Sequence, residues 1–296
     1  MRAFFSPIRK KEGMRRLALG VLALVGAGAA VTWMLGTALV SGKRYALPAP
    51  DAGVRTVLLR AAGQPVEGWL LEGSGKGAVL LLHGIRSDRR QMLARARFLN
   101  AAGYTALLID LPGHGASPAP AITFGLKEGQ AVDSALRWLR ERYPQQRIGL
   151  IGVSLGAASY VLCKACPRVD AVVLESMYPT IEEAVEDRLR MRIGPLAAPV
   201  SKLLLWQLPL RLDIEPSQLR PIDHVKALGA PVLVASGDAD QHTTIAETRR
   251  IHAAAGGAKQ LWEVPGAAHV DLHAFASAEY EGRIEAFLHR HLTAAP

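Results

Sequence analysis

Hydrophobic residues follow two different patterns along this chain of 296 residues. Residues 17–40 form an uncharged apolar run of 24 positions, and from residue 54 onward short apolar runs alternate with amphipathic stretches. A helix of that length measures about 36 Å at ~1.5 Å per residue, which is enough to cross a hydrocarbon core of roughly 30 Å. The pattern therefore predicts one N-terminal transmembrane helix ahead of a globular domain.

Charged residues flank the apolar run unevenly. Six basic residues and the single acidic Glu12 precede it, whereas only Lys43 and Arg44 follow it closely. Cytoplasmic flanks are enriched in lysine and arginine, so we predict a cytoplasmic N-terminus, with residues 1–44 as basic tail and anchor. Residues 45–53, rich in alanine and proline, are predicted to be a linker, and residues 54–296 a domain on the extracytoplasmic side.

A cleavable signal peptide is the alternative interpretation of this segment. The tripeptide Ala27-Gly28-Ala29 resembles a small-residue cleavage site, and cleavage there would release a secreted domain. The apolar run continues for eleven residues beyond Ala29, however, which favours an anchor that stays in place.

Beyond the linker, the alternation of apolar runs with helical patterns predicts the fold class. A hairpin comes first, from strands at 54–59 and 66–72. Strands that alternate with helices at this spacing indicate βαβ crossovers, hence a mostly parallel sheet flanked by helices on both faces. Further strands are predicted at 78–82, 105–109, 148–151, 171–174, 231–235 and 260–264, and helices at 89–102, 126–143, 155–166, 244–255 and 276–291.

Residues 176–225 interrupt the alternation, because they contain amphipathic pieces at 181–191, 200–210 and 212–220 but no clean strand. A helical insertion between two strands of a parallel sheet is expected to form a cap over the strand ends. The alternative is an extended crossover with no part in binding.

Charge and cysteine content exclude some classes of partner. The net charge is +9, but residues 1–44 account for +7, so the rest of the chain carries only +2 and gives no basis for nucleic-acid binding. Cys163 and Cys166 form a single C-x-x-C pair, which lacks the four ligands of a structural zinc site. We expect two small buried side chains there, with a disulfide or redox pair as the alternative, and we expect no metal and no cofactor.

The most informative motif is Gly152-Val153-Ser154-Leu155-Gly156, which follows an apolar run and precedes a helical pattern. A tight strand-to-helix turn requires glycines two positions before and after the serine, and it leaves the serine projecting from the carboxyl edge of the sheet. Ser154 is therefore the candidate nucleophile.

A serine hydroxyl needs a base to act as a nucleophile at neutral pH. The loop after the strand at 231–235 contains Asp238 and Asp240, and the loop after the strand at 260–264 ends in His269. Both loops leave the same sheet edge as Ser154, in the order serine, acid, histidine. Asp238 remains an alternative acid, and His273 an alternative base.

Two backbone amides are candidates for an oxyanion hole. One belongs to Leu155, directly after the nucleophile, and the other to Ile85, in the loop after the strand at 78–82. His83 in that loop is expected to pack or to hydrogen-bond within the loop. The following Arg86, Arg89 and Arg90 are expected to be solvated, with contact to an anionic substrate group as the alternative.

These motifs resemble the α/β-hydrolase superfamily, and within it the serine aminopeptidase S33-like branch. The resemblance covers about residues 54–293. It implies an α/β-hydrolase fold in which Asp240, as the last residue of a Gly-x-x-Asp loop, is the acid and His269 the base. The matching residues are Leu81-Leu82-His83-Gly84, the turn from Asp110 to Ser117, the serine motif, the Gly237–Asp240 loop and the Gly266–His269 turn.

These residues predict a serine hydrolase that cleaves an ester, a thioester or an amide through an acyl-serine intermediate. Peptidase activity is included in this prediction. The membrane helix and the apolar stretch at 203–206 point to small-molecule or lipid-like acyl substrates. Two alternatives stay open: an acyltransferase with the same triad, and a non-catalytic binding module on the same fold. The sequence identifies no substrate-binding residue.

Overall fold

The computed structural model describes residues 7–48 and 53–293. The chain forms two compact units, Met1–Val40 and Ser41–Pro296. Residues 1–6 of the predicted tail, residues 49–52 of the predicted linker and residues 294–296 lie outside the described residues.

The first unit contains one long helix, α1 (Pro7–Val40). Within its stretch from Glu12 to Val40, an 18-residue window has a mean hydropathy of 2.0 and contains no buried residue. Among the described residues, α1 is the one helix that is both long enough and apolar enough to cross a membrane. Its length, composition and place near the N-terminus suit a membrane anchor or a signal sequence.

The second unit is built on an eight-stranded sheet in the order β1-β2-β4-β3-β5-β6-β7-β8. β1 and β2 form the expected antiparallel hairpin, β2 pairs antiparallel with β4, and all remaining pairs are parallel. The predicted mostly parallel sheet is therefore confirmed. The strands are β1 (Arg55–Ala61), β2 (Gln64–Leu71), β3 (Ala78–Leu82), β4 (Thr105–Ile109), β5 (Ile148–Val153), β6 (Ala171–Glu175), β7 (Val232–Gly237) and β8 (Lys259–Val264).

The central strands are wholly buried, as their continuous apolar sequences require. Successive side chains of a strand point to opposite faces, so Leu80 and Leu82 enter the core on one face while Val79 and Leu81 enter the core on the other. Both faces are covered by helices. Those outside the insertion are α2 (Leu93–Ala101), α3 (Glu128–Arg142), α4 (Leu155–Val161), α8 (Ile245–Ala254), α9 (Leu272–Phe275) and α10 (Ser277–Leu292).

The insertion between β6 and β7 is helical. It contains α5 (Ile181–Ile193), α6 (Ala197–Leu205) and α7 (Gln207–Leu212). The single piece expected at 200–210 is split at Trp206, because Pro209 lacks an N–H and its ring crowds the carbonyl four residues earlier. The piece expected at 212–220 forms only a short 3-10 turn, Pro216–Gln218.

The cysteines differ from expectation. α4 ends at Val161, earlier than the predicted residue 166. Pro167 disfavours helical backbone at the residue before it, so a helix that reaches residue 166 is disfavoured. Cys163 and Cys166 therefore lie in the turn beyond α4, where they are half-buried and joined by a disulfide. The expectation of two small buried thiols was wrong, and the disulfide alternative is the one observed.

Candidate active site

Ser154 lies between β5 and α4 with φ 49° and ψ −106°, a backbone conformation that is strained for a residue with a side chain. The turn is tight on both sides. A Cβ at Gly152 would lie 2.6 Å from the Ala157 nitrogen, and a Cβ at Gly156 would lie 2.5 Å from the Leu82 oxygen. The Ser154 N–H donates to the Glu175 carbonyl on the neighbouring strand (2.7 Å), which holds the strained residue in place.

Asp240 and His269 meet at the same edge of the sheet, in the loops after β7 and β8. The Nδ1 of His269 lies 2.7 Å from Oδ2 of Asp240. The other carboxylate oxygen accepts the backbone N–H groups of His242 (2.8 Å) and Thr243 (3.0 Å). Burial opposes ionisation of Asp240, but the bond to His269 and these two amides outweigh it and lower the pKa of the carboxyl. The acid is thus held as a carboxylate against the histidine.

The two alternative residues have partners elsewhere. Asp238 is exposed and accepts the Gly266 N–H (2.7 Å), which ties together the loops after β7 and β8. His273 bonds Glu281 (2.9 Å) and stacks on Phe98 at 5.5 Å between ring centroids. Neither geometry connects these residues to the Asp240–His269 pair.

Ser154 is 3% exposed and stands at the carboxyl end of β5, the same edge as the acid and the base. Between these two described residues, the Ser154 hydroxyl and His269 form no direct hydrogen bond. Serine–histidine bonds are often long in ligand-free enzymes and tighten when substrate binds.

The loop after β3 surrounds a fully buried histidine. The Nε2 of His83 accepts the Leu111 N–H (3.0 Å), and its Nδ1 lies 2.7 Å from the Gly84 oxygen, so the proton belongs on Nδ1. Burial lowers the pKa of His83 to about 3, which keeps it neutral. His83 therefore fastens the loop. In the same loop the Gly84 N–H donates to the Oε1 of Gln91 (2.8 Å).

Arg86 and Arg90 of this loop are exposed, as expected, but Arg89 is not. Arg89 is 3% exposed, and its guanidinium pairs with Asp110 (2.6 Å) and Glu67 (3.2 Å). Arg90 pairs with Asp88 (2.8 Å). Because both guanidinium groups have carboxylate partners, these two residues shape the loop.

A buried network beneath the site was missed at the sequence level. Arg95 is fully buried on α2 and pairs with Glu175 at the end of β6 (2.7 Å) and with Asp271 at the start of α9 (2.9 Å). The Tyr280 hydroxyl bonds both Arg95 and Glu175. Glu175 also carries the carbonyl that holds Ser154, and Asp271 lies two residues after His269. The network thus connects the supports of Ser154 and His269.

The helical insertion contributes a second group of charges. On α5, Asp187 lies beside Glu247 of α8, and both residues are buried. One of the two must carry a proton for them to share a hydrogen bond. Burial and the neighbouring Asp187 raise the pKa of Glu247 to about 7. Nearby, the His242 ring stacks on His269 with centroids 4.8 Å apart.

A broad surface groove is a separate feature. It is lined by residues that include Arg60, Trp138, Cys163 and His224. None of the residues of the acid–base pair or the serine turn lines it. We therefore do not associate this groove with the chemistry of the serine.

The strand order, the strained serine between strand and helix, and the acid–base pair at the same sheet edge define an α/β-hydrolase fold. The chain belongs to the alpha/beta hydrolase family, whose model matches residues 79–281. It is 31% identical over 230 residues to the uncharacterized protein Rv2307c of Mycobacterium tuberculosis, which covers 74% of this chain and 73% of that protein.

Solved structures of low sequence identity share the fold. The Pyrococcus furiosus esterase Pf2001 has a TM-score of 0.69 at 21% identity, with 85% of this chain and 99% of that chain covered. A thermophilic esterase from Thermogutta terrifontis has a TM-score of 0.59 at 19% identity, with 80% and 98% covered. The family makes the chain a hydrolase by class, and these neighbours share its fold.

Proposed function

We propose that the protein is a serine hydrolase that cleaves an ester, a thioester or an amide through an acyl intermediate on Ser154. The observation that carries the proposal is the 2.7 Å bond between His269 and Asp240 at the sheet edge that presents the strained Ser154. A neutral histidine held in one tautomer by a carboxylate is the base that a serine nucleophile requires.

The proposed reaction begins with attack of the Ser154 Oγ on the substrate carbonyl. The Nε2 of His269 takes the hydroxyl proton, and Asp240 stabilises the imidazolium that results. The oxyanion is to be held by the amides of Leu155 and Ile85. Leu155 is the first residue of α4, so its N–H has no partner within the helix. His269 then protonates the leaving group, and a water molecule releases the acid by the reverse sequence.

The substrate is proposed to be a small-molecule or lipid-like acyl compound. The two structural neighbours described above are named as esterases, which favours esters as the first compounds to test. No cofactor enters the proposed steps, because His269 and Ser154 account for each proton transfer and for the covalent bond.

Covalent labelling tests the nucleophile. A fluorophosphonate should label the full chain, and Ser154→Ala should abolish the labelling, whereas Ser159→Ala should not, because the Ser159 hydroxyl bonds the Leu155 carbonyl (2.7 Å). Labelling of the Ser154→Ala variant at the wild-type rate would refute the assignment. A wild-type chain that takes no label would favour the binding-module alternative.

The acid is tested by a matched pair of variants. Asp240→Asn should lower the turnover of an acyl ester by about 10⁴-fold, since an asparagine holds the histidine in the wrong tautomer. Asp238→Asn should cost far less, because its carboxylate accepts a loop amide. Unfolding curves of both variants confirm that the fold is retained. A crippled Asp238→Asn beside an active Asp240→Asn would reverse the assignment.

We also propose that α1 is an uncleaved anchor and that residues 54–296 lie outside the cytoplasm. The basic flank before the apolar run supports this orientation. The Cys163–Cys166 disulfide supports it independently, because disulfides persist in oxidising compartments. Intact cells treated with protease should lose the domain and keep a protected N-terminal fragment, while a protected domain would overturn the orientation.

A further inference from the structure

The outer surface of the helical insertion combines exposed apolar side chains with positive charge. Residues 191–212, which hold Arg192, Lys202 and Arg211, contain three basic residues and no acidic residue, although residues 45–296 together carry a net charge of only +2. Within this segment Trp206 is 66% exposed, Leu196 64% and Leu210 62%. The exposed apolar residues, which we call the cap face, are Met191, Ile193, Leu196, Leu203, Trp206 and Leu210.

The residues of the cap face are not the ones that pack the insertion onto the domain. Leu204, Leu205 and Leu208 on the same helices are buried and already face inward. Leu203, Trp206 and Leu210 on the same segment are exposed. The segment therefore has two apolar sides, one packed and one exposed.

The first residues of the second unit bond one edge of the sheet. The Lys43 N–H donates to the Gly113 carbonyl (3.0 Å) and the Tyr45 N–H to the Gly115 carbonyl (2.8 Å), in the turn after β4. That turn belongs to the carboxyl edge of the parallel strands, from which the insertion also departs after β6. Only two residues, Ser41 and Gly42, lie between Val40 and Lys43, so the apolar run is close along the chain to the residues that bond this edge.

We propose that the cap face is a docking surface for an anionic lipid bilayer. Exposed Trp and Leu side chains interleaved with Lys and Arg are the composition that enters the headgroup region, with apolar side chains about 5–10 Å deep and cations on the lipid phosphates. A second copy of the chain is a poorer occupant, because two such segments would bring like charges together. The assignment concerns the surface alone and does not depend on the proposed chemistry.

The test uses the full chain, one copy per nanodisc, with a nitroxide attached through Trp206→Cys. Leu58→Cys is the matched control, since Leu58 is 63% exposed on β1 and lies outside the insertion. The native cysteines are joined to each other and stay unlabelled without reductant. In discs with anionic lipid, the ratio of oxygen to water-soluble nickel accessibility should be severalfold higher at position 206 than at position 58.

Charge reversal sharpens the test. Adding Arg192→Glu and Lys202→Glu to the Trp206→Cys chain should lower that ratio toward the value at position 58, because it removes the attraction to lipid phosphates. Equal ratios at positions 206 and 58 in anionic discs would overturn the proposal. So would dipolar broadening of the label at 206 in discs that hold two copies, if the ratio of oxygen to nickel accessibility stays as low as at position 58, since a second copy would then cover the cap face.

Discussion

Two clusters of buried charge flank the proposed site, and they are built on opposite principles. Beneath the sheet edge, Arg95 is matched by Glu175 and Asp271, and each partner lies within 3 Å. Between the insertion and the domain, Asp187 and Glu247 bring two carboxyl groups together. Arg190 reaches Asp187 only at 3.3 Å, and Glu183 and Glu186 of α5 add further negative charge nearby.

The difference concerns what happens when pH changes. In the matched cluster burial opposes ionisation, but the carboxylates raise the pKa of Arg95 and Arg95 lowers that of Asp271, so both stay charged over the neutral range and can hold their neighbours in fixed positions. A pair of like charges that shares one proton changes its interaction energy when that proton leaves. The sheet side of the site is therefore fixed, and the contact of α5 with α8 is the part that responds to pH.

The largest expected effect comes from removing the cation of the matched cluster. Arg95→Ala leaves Glu175 buried without its partner, and such a loss costs about 3–5 kcal/mol. Chemical denaturation of the full chain in detergent measures it. Arg97→Ala, an exposed position on the same helix, is the control. If the two variants unfold at the same denaturant concentration, the cluster does not hold the fold together.

A smaller and pH-dependent effect is expected at the like-charged pair. The pKa of Glu247 is raised from its ordinary 4.5 to about 7, so between these values the folded protein holds more protons than the unfolded chain. The contribution of this proton to wild-type stability should therefore be fully present below pH 4.5 and decline as pH rises to 7. Glu247→Gln removes this titration and, as a glutamine at the same place in the capping box, keeps the bond to Thr244.

Unfolding at pH 5 and pH 8 measures this prediction. Relative to wild type, Glu247→Gln should gain stability at pH 8 on the order of 2 kcal/mol compared with pH 5. Glu141→Gln, an exposed carboxylate on α3, is the control and should show no such gain. If the free energies of unfolding of Glu247→Gln and wild type differ by the same amount at pH 5 and pH 8, the contact of α5 with α8 does not respond to pH as predicted.

The smallest effect is expected at an exposed ion pair. Arg249 and Glu263 lie 2.7 Å apart, as close as the buried pair of Arg95 and Glu175, but Arg249 is 60% exposed. Exposed pairs contribute little, because water screens them. Arg249→Ala should leave the unfolding midpoint within experimental error. A loss as large as that of Arg95→Ala would mean that distance, and not burial, decides the outcome.

Features with local causes were predictable from the sequence. The central strands follow from continuous apolar runs, and the turn at Ser154 follows from two glycines at fixed spacing. The loops of Asp240 and His269 were predictable because each begins where a strand ends. The structure brings these last two residues together, while their catalytic roles stay a prediction for the variants above.

Features that join distant parts of the chain were not predictable in this way. Arg95 and Tyr280 are 185 residues apart, and no spacing along the chain indicates that they meet. The one available signal was a charged residue on the apolar side of α2, next to Ala96 and near Leu99. The stacking of His242 on His269 depends in the same way on the fold of two separate loops.

The serine turn has a consequence for how this protein can change over evolutionary time. At Gly152 and Gly156 any larger residue would place an atom against backbone that cannot yield, so substitutions there are closed to the lineage. Position 154 is different, since its side chain projects away from the turn and its strained backbone is already tolerated. A change to cysteine would keep the turn and alter the proposed nucleophile. Mutation can therefore change the side chain at position 154 more easily than it can change the turn that holds it.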